Sequence, residues 1–307
     1  MSISQLGQAA LRADLRAGLQ VPAIAAPMFL VSGLEHVTAC CRAGIVGSFP
    51  TINARTPEIL DDWLTQMADL PKDAARHAAN LIVHKSNARL DEDLALVVKH
   101  AVPIVISSVG SPTRVIEAVH GYGGLVLADV ATLKHARRAA QAGVDGLILL
   151  TAGCGGNTGW LNPFGFAAAV REFWAGPLVL AGAISSGRQI RALEVLDVDL
   201  AYVGTSLIAT SESLANDTYR QLLVEASIDD IFLTDAITGI AANFLKASLE
   251  RAGFDTKAKH AKPETFSLEK ETRAWRDVWS AGHGVGAVRE VQPVADVVAA
   301  LRRGYVA

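Results

Sequence analysis

With 307 residues, 50% of them hydrophobic and 19% charged, the chain carries enough apolar content for one large globular domain with an appendage, without disulfide staples. Its three cysteines, Cys40, Cys41 and Cys154, are an odd number with two adjacent, which fits a reduced compartment. A net charge of −3 with no long block of one sign argues against a nucleic-acid or lipid-surface partner, and no apolar run reaches the roughly 18 to 20 residues of a membrane helix.

In chain order, residues 5–20 read as a helix. Arg12 and Arg16 ahead of the apolar stretch 21–34 give the outline of a secretory leader, but Pro22 and Pro27 interrupt it and residues 24–28 read as a buried strand. A cytoplasmic protein is therefore expected. From there, short runs rich in Val, Ile, Leu and Ala alternate with helical patterns. Strands are predicted at residues 23–26, 45–48, 79–83, 103–107, 124–128, 146–150, 177–181 and 200–203. Eight strand–helix steps of roughly 20 to 35 residues predict an α/β fold, a (β/α)8 TIM barrel. A doubly wound sheet shares the periodicity but calls for a glycine-rich dinucleotide fingerprint after the first strand, and none is present.

Leu90, Leu94, Val97, Val98 and Ala101 fall on one helical face. Glycines in Ala43-Gly44, Tyr122-Gly123-Gly124 and Ala142-Gly143 mark helix ends. After Val203 the rhythm stops. Residues 211–286 read as a smaller, mainly helical second domain with a polar, mobile stretch at 255–270, beside a barrel formed by 1–210 and 287–307. The last helix, 293–303, puts Val294, Val297, Val298 and Leu301 on the side that returns to the barrel.

Barrel active sites lie at the carboxyl ends of the strands, so the residues just after each run carry the functional reading. After the seventh strand comes Ala181-Gly182-Ala183-Ile184-Ser185-Ser186-Gly187, and after the eighth Gly204-Thr205-Ser206. Their small residues let backbone N–H groups approach an anion, a phosphate in the first instance; either loop alone reads equally well as a tight turn. After the sixth strand, Gly153, Gly155 and Gly156 allow backbone to approach a flat ligand, and Cys154 and Trp160 are costly residues to leave exposed. Ala26-Pro27-Met28 ends the first strand. No metal site is expected.

Together these pieces resemble the nitronate monooxygenase family of FMN-dependent barrel enzymes. The matching segments are A-P-M at 26–28, N-L at 80–81, A-G-V-D at 142–145, the glycine loop at 153–159, A-G-A-I-S-S-G at 181–187, V-G-T-S at 203–206, T-G-I-A-A-N at 238–243 and W-S-A-G at 279–282. The resemblance implies that Ala26, Pro27 and Met28 lie against the flavin, that Asn80 hydrogen-bonds it, that Gly182, Ala183, Gly204 and Thr205 hold the FMN phosphate with Ser206 beside them, and that 211–286 covers the substrate cleft. It implies oxidation of a nitronate with O2; the runner-up is an NAD(P)H-dependent quinone or enoyl reductase. Both use a small-molecule substrate, and the sequence leaves the oligomeric state open, a homodimer included.

Two departures stand out. Family members carry a histidine base after the sixth strand where this chain has Asn157, an amide that takes no proton near neutral pH and either hydrogen-bonds an anionic or carbonyl substrate or is a purely structural loop residue. Asp129 stands where some relatives have a lysine near the flavin; it either contacts the cofactor or pairs with Lys134 or Arg137. The remaining acid–base candidates are His84, with Lys85 beside it, and His283; solvated loop residues and a helix cap are the alternatives. Cys154 reads as an inert thiol.

Overall fold

The computed structural model describes residues 3–261 and 268–307. Eight parallel strands form its centre: β1 (Ala23–Ala25), β2 (Gly47–Pro50), β3 (His77–Ile82), β4 (Ile104–Ser108), β5 (Leu125–Val130), β6 (Gly146–Leu150), β8 (Leu178–Ala181) and β9 (Leu200–Val203). They are ordered β1-β9-β8-β6-β5-β4-β3-β2, and a parallel bridge from Ile24 to Val46 joins the two ends, closing the barrel. The eight expected strands are all present, displaced by at most a few residues.

Side-chain alternation along each strand makes two cores. Ile24, Ile106, Leu127, Ile148, Val179 and Leu200 point inward, and Leu15 of the N-terminal helix (Ile3–Arg16) joins them with Leu19 packed alongside. The intervening residues, among them Leu81, Val105, Val126, Leu149 and Leu180, meet the surrounding helices. Each such fully buried aliphatic side chain contributes about 1.5–3 kcal/mol.

The helix Leu90–Lys99 buries Leu90 and Val97 as the periodicity requires, but Ala101 lies beyond it, exposed and at φ 45. Gly44 and Gly143 cap their helices in the left-handed conformation (φ 89 and 91) that carries no penalty without a Cβ. The C-terminal helix Val294–Val306 does return to the barrel: a Cβ on Gly187 would sit 2.0 Å from the Leu301 carbonyl oxygen, so only glycine allows this contact.

In their described part, residues 211–286 contain the helices Asp217–Glu225, Lys246–Arg251 and Leu268–Asp277, which make up about a third of it. They also contain two strands that the periodicity did not reveal, β10 (Ile231–Thr234) and β11 (Ala242–Leu245). These pair antiparallel, and β11 pairs in turn with β7 (Gly156–Asn157) from the glycine loop. Four-residue strands are too short to establish a period, and the further partner of β11, β7, lies far away in sequence. Of the polar stretch 255–270, residues 262–267 lie outside the described residues. No helix among the described residues is long and apolar enough to cross a membrane.

Candidate active site

A cavity of about 780 Å³ opens at the carboxyl ends of the barrel strands, within the ~300–1,000 Å³ range of small-ligand sites. Ala26, Pro27 and Met28 line it after β1. Asn53 fixes their turn, accepting from the Leu30 N–H at 2.9 Å and donating to the carbonyls of Met28 (3.0 Å) and Ser32 (2.8 Å). Asn53 went unnoticed in the sequence because it belongs to a short 3-10 turn with no motif around it.

Asn80 of β3, Ser108 of β4 and Asp129 of β5 form a hydrogen-bonded chain on the cavity wall. Asn80 Nδ2 donates to the Ile106 carbonyl at 3.0 Å and to Ser108 Oγ at 2.7 Å, and Ser108 Oγ donates to Asp129 Oδ2 at 2.5 Å. Asp129 pairs with neither Lys134 nor Arg137; Arg137 instead lies over the Phe173 ring at 4.1 Å. The other carboxylate oxygen, Oδ1, is buried without a partner among the described residues, as is the hydroxyl of Tyr202, another residue of the cavity lining. Burial pushes the Asp129 carboxyl up to about 7 against the smaller opposing effect of the Ser108 hydrogen bond. Tyr202 was legible only as a position within its strand, and Ser108 only as the residue after one.

The glycine loop after β6 is clamped from outside the barrel. Asn243 Nδ2 donates to the Cys154 carbonyl at 2.7 Å, the Thr158 N–H to the Ala241 carbonyl at 2.9 Å, and the His283 N–H to the Gly153 carbonyl at 3.0 Å. A Cβ on Gly155 would meet the Gly282 nitrogen at 2.8 Å. The T-G-I-A-A-N and W-S-A-G segments thus hold this loop in place, and the Gly282 N–H also reaches Thr205 Oγ1 at 2.9 Å. Gly153, Cys154, Gly155, Gly156 and Asn157 all line the cavity. Cys154 is buried, and desolvation lifts its thiol to about 12, which leaves it unreactive at neutral pH. Trp160 does not join the site: it is 78% exposed and off the cavity wall.

Gly182, Ala183, Gly204 and Thr205 line the cavity where the phosphate was expected. Gly182 (φ 129) and Ala183 (φ 56) both lie at positive φ, and strain at a non-glycine residue such as Ala183 is retained where the surroundings enforce it. Ser206 is off the cavity wall; its Oγ is buried in the short helix Thr205–Ile208. His84 lines the cavity, with Nδ1 accepting from the Ser86 N–H at 3.2 Å. Lys85 is exposed, and His283 is exposed with its ring against Gly153 on the outer side of the loop, away from the cavity.

The roof comes from 211–286. Trp275 stacks on Phe244 (4.8 Å between ring centroids) and Trp279 on Tyr219 (5.1 Å), and Trp275, Trp279, Tyr219 and Ile240 all face the cavity. Among the described residues no cluster of His, Cys, Asp and Glu is arranged to hold a metal.

The sequence profile of the nitronate monooxygenase family matches residues 51–304. The chain belongs to the nitronate monooxygenase family. Within it, the chain is 26% identical to a nitronate monooxygenase of Paraburkholderia phytofirmans, covering 93% of this chain and 92% of that protein. It is 23% identical to the (3aS,4S,5R,7aS)-5-hydroxy-7a-methyl-1-oxo-octahydro-1H-indene-4-carboxyl-CoA dehydrogenase of Mycobacterium tuberculosis over 76% of this chain, spanning 65% of that relative's length. The fold superimposes on nitroalkane oxidase from Streptomyces ansochromogenes with a TM-score of 0.80, at 24% identity over 96% of this chain and 97% of the other. The barrel architecture expected from the strand rhythm is shared with the last of these.

Proposed function

We propose that this nitronate monooxygenase family member is an FMN-dependent oxidoreductase that oxidises a small, already ionised nitronate with O2, giving a carbonyl compound and nitrite. One observation carries the reading: a single cavity unites the Ala26–Met28 turn, the Asn80–Ser108–Asp129 chain, the glycine loop and the small-residue loops after β8 and β9. The residues fit the group. Backbone at Ala26, Pro27 and Met28 and the Asn80 amide would flank the flavin ring, with Asp129 and the glycine loop at its edge. Gly182, Ala183, Gly204 and Thr205 would hold the phosphate.

When bound, FMN would supply the redox centre between the substrate and O2. The chain's own contribution is binding and orientation. Trp275, Trp279 and Tyr219 of the segment 211–286 form an apolar roof that excludes water above the ring, and Asn157 donates a hydrogen bond to an anionic oxygen of the substrate. Because an amide accepts no proton near pH 7, the substrate has to arrive ionised.

The same absence of a base at Asn157 favours a second reading, an NAD(P)H-dependent quinone or enoyl reductase, in which no substrate C–H proton is removed. Anaerobic visible spectra of the purified protein decide between them. Bleaching of the bound flavin by nitronate alone is the expected result; bleaching by NADH or NADPH alone replaces the monooxygenase with the reductase.

The phosphate placement has its own test. A Cβ on Gly204 meets Met28 Sδ at 3.5 Å and Ala26 Cβ at 3.6 Å, ordinary contact, whereas one on Gly182 meets Thr151 Oγ1 at 2.3 Å. Gly204→Val is expected to weaken FMN binding about tenfold or more, matching an overpacking cost of ~1–3 kcal/mol, and Gly182→Ala to lower both affinity and thermal stability. Wild-type FMN affinity in both variants would place the phosphate elsewhere.

A further inference from the structure

We infer that Arg89 and Asp93, an ion pair off the cavity wall whose carboxylate is fully buried, are positioning residues for the Ala26–Met28 turn, acting on it through Thr51 and Asn53. The ligand this turn would serve is the flavin of the reading above, on which the inference rests; the residues it adds touch no ligand.

Asn53 leaves the turn no freedom of its own. Its two amide hydrogens go to the carbonyls of Met28 and Ser32, and its oxygen receives the N–H of Leu30, a non-glycine residue held at φ 58. Strain of that kind persists only where the surroundings enforce it, and Asn53 does so here, so the turn goes wherever Asn53 is placed. Asn53 itself belongs to the three-residue 3-10 segment Thr51–Asn53, which has no side-chain cap. One such turn has too few good hydrogen bonds to hold its own position. The frame comes from outside: Thr51 Oγ1 donates to Asp93 Oδ2 at 2.7 Å, Arg89 Nη1 to the Ala54 carbonyl at 2.8 Å, and Arg89 Nη2 to Asp93 Oδ1 at 2.8 Å. Both ends of the segment are thereby tied to one pair at the start of the helix Leu90–Lys99, while its middle residue, Ile52, lines the cavity.

The pair is better suited to positioning than to stability. Taking a carboxylate out of water offsets most of its attraction to a guanidinium, so a buried ion pair holds a fold together little better than apolar side chains of the same volume. What apolar packing does not provide is direction. Three hydrogen bonds place the segment, and with it Ile52 directly and Met28 by way of Asn53, where sliding contacts would leave a range of positions. Ligand binding and stability should therefore respond differently when the frame is cut.

Thr51→Val cuts the frame at one hydrogen bond while keeping the shape of the side chain, and Asn53→Ala removes the arm through which the pair acts. Thr51→Val is expected to weaken FMN affinity about tenfold and to speed amide hydrogen exchange at Leu30 in the purified protein. In an Asn53→Ala background the same substitution should change neither, because the route is already broken. Wild-type affinity and Leu30 exchange in Thr51→Val, or effects that add in full to those of Asn53→Ala, overturn the inference whatever happens to the melting temperature. If Thr51→Val does not fold, the double variant Arg89→Met with Asp93→Leu, which leaves no unpaired charge, carries the same measurements. A wild-type protein that takes up no FMN defeats the cofactor reading alone; Leu30 exchange in the variants then decides the positioning role by itself.

Discussion

An Asn157→His variant is expected to oxidise neutral nitroalkanes about 100-fold faster than wild type, the lower end of the ~10²–10⁴ that a positioned base contributes. Its rate on preformed nitronates should stay close to wild type. The expectation follows from the place of Asn157 on the cavity wall, in a strand whose main chain is paired with Ala242 and whose loop is clamped by Asn243 and the Gly282 region. The substitution changes the side chain while main-chain pairing holds the loop. Asp129 does not supply the missing base below neutrality, because its carboxyl is protonated there. Steady-state rates with a nitroalkane and its nitronate check this; unchanged nitroalkane turnover would make position 157 a structural one.

Replacing Asp129 should also make the protein more stable, which is the opposite of the usual effect of removing a buried hydrogen-bonded side chain. Its carboxyl rises from 3.8 to about 7 on folding. Below the unfolded value both states bind the proton and burial costs nothing. As pH rises from about 4 to about 7 the unfolded chain releases the proton while the folded chain keeps it, so stability falls across that window and remains low above it. Asp129→Asn is free of this penalty and keeps an oxygen to accept from Ser108, with its amide nitrogen at the buried position of Oδ1, where an unpaired N–H offsets part of the gain. Its gain in unfolding free energy is expected to be on the order of 4 kcal/mol at most at pH 8, shrinking toward zero near pH 4. Urea unfolding at several pH values measures it; a variant no more stable than wild type at pH 8 would mean that Asp129 is ionised in the native protein without cost. A destabilising group kept at the site is the pattern expected where function opposes stability.

Much of the molecule was legible in the residues. The eight apolar runs gave the barrel because strands buried on both faces must be continuously hydrophobic, and their spacing admits one helix per step. The small-residue loops after β8 and β9 and the Ala26–Met28 turn were found because strand ends are where such barrels place ligands. Other features had no local signal. β10 and β11 exist through pairing with each other and with Gly156–Asn157, which lie far away in sequence. Trp160 was expected at the site on account of its size and is instead exposed, and His283 lies across the glycine loop from the cavity, since neither direction is encoded in spacing.

The sequence by itself determined the strand rhythm, the carboxyl-end loops and the exchange of a histidine for Asn157, because these are properties of residue type and periodicity. Only the tertiary structure decided what Asp129 is. A carboxylate among lysines and arginines in sequence reads as a surface ion-pair partner, but closure of the barrel puts it beside Ser108 and Tyr202, with no cation among the described residues acting on it. Desolvation, a property of the assembled interior and not of any residue, then sets its proton.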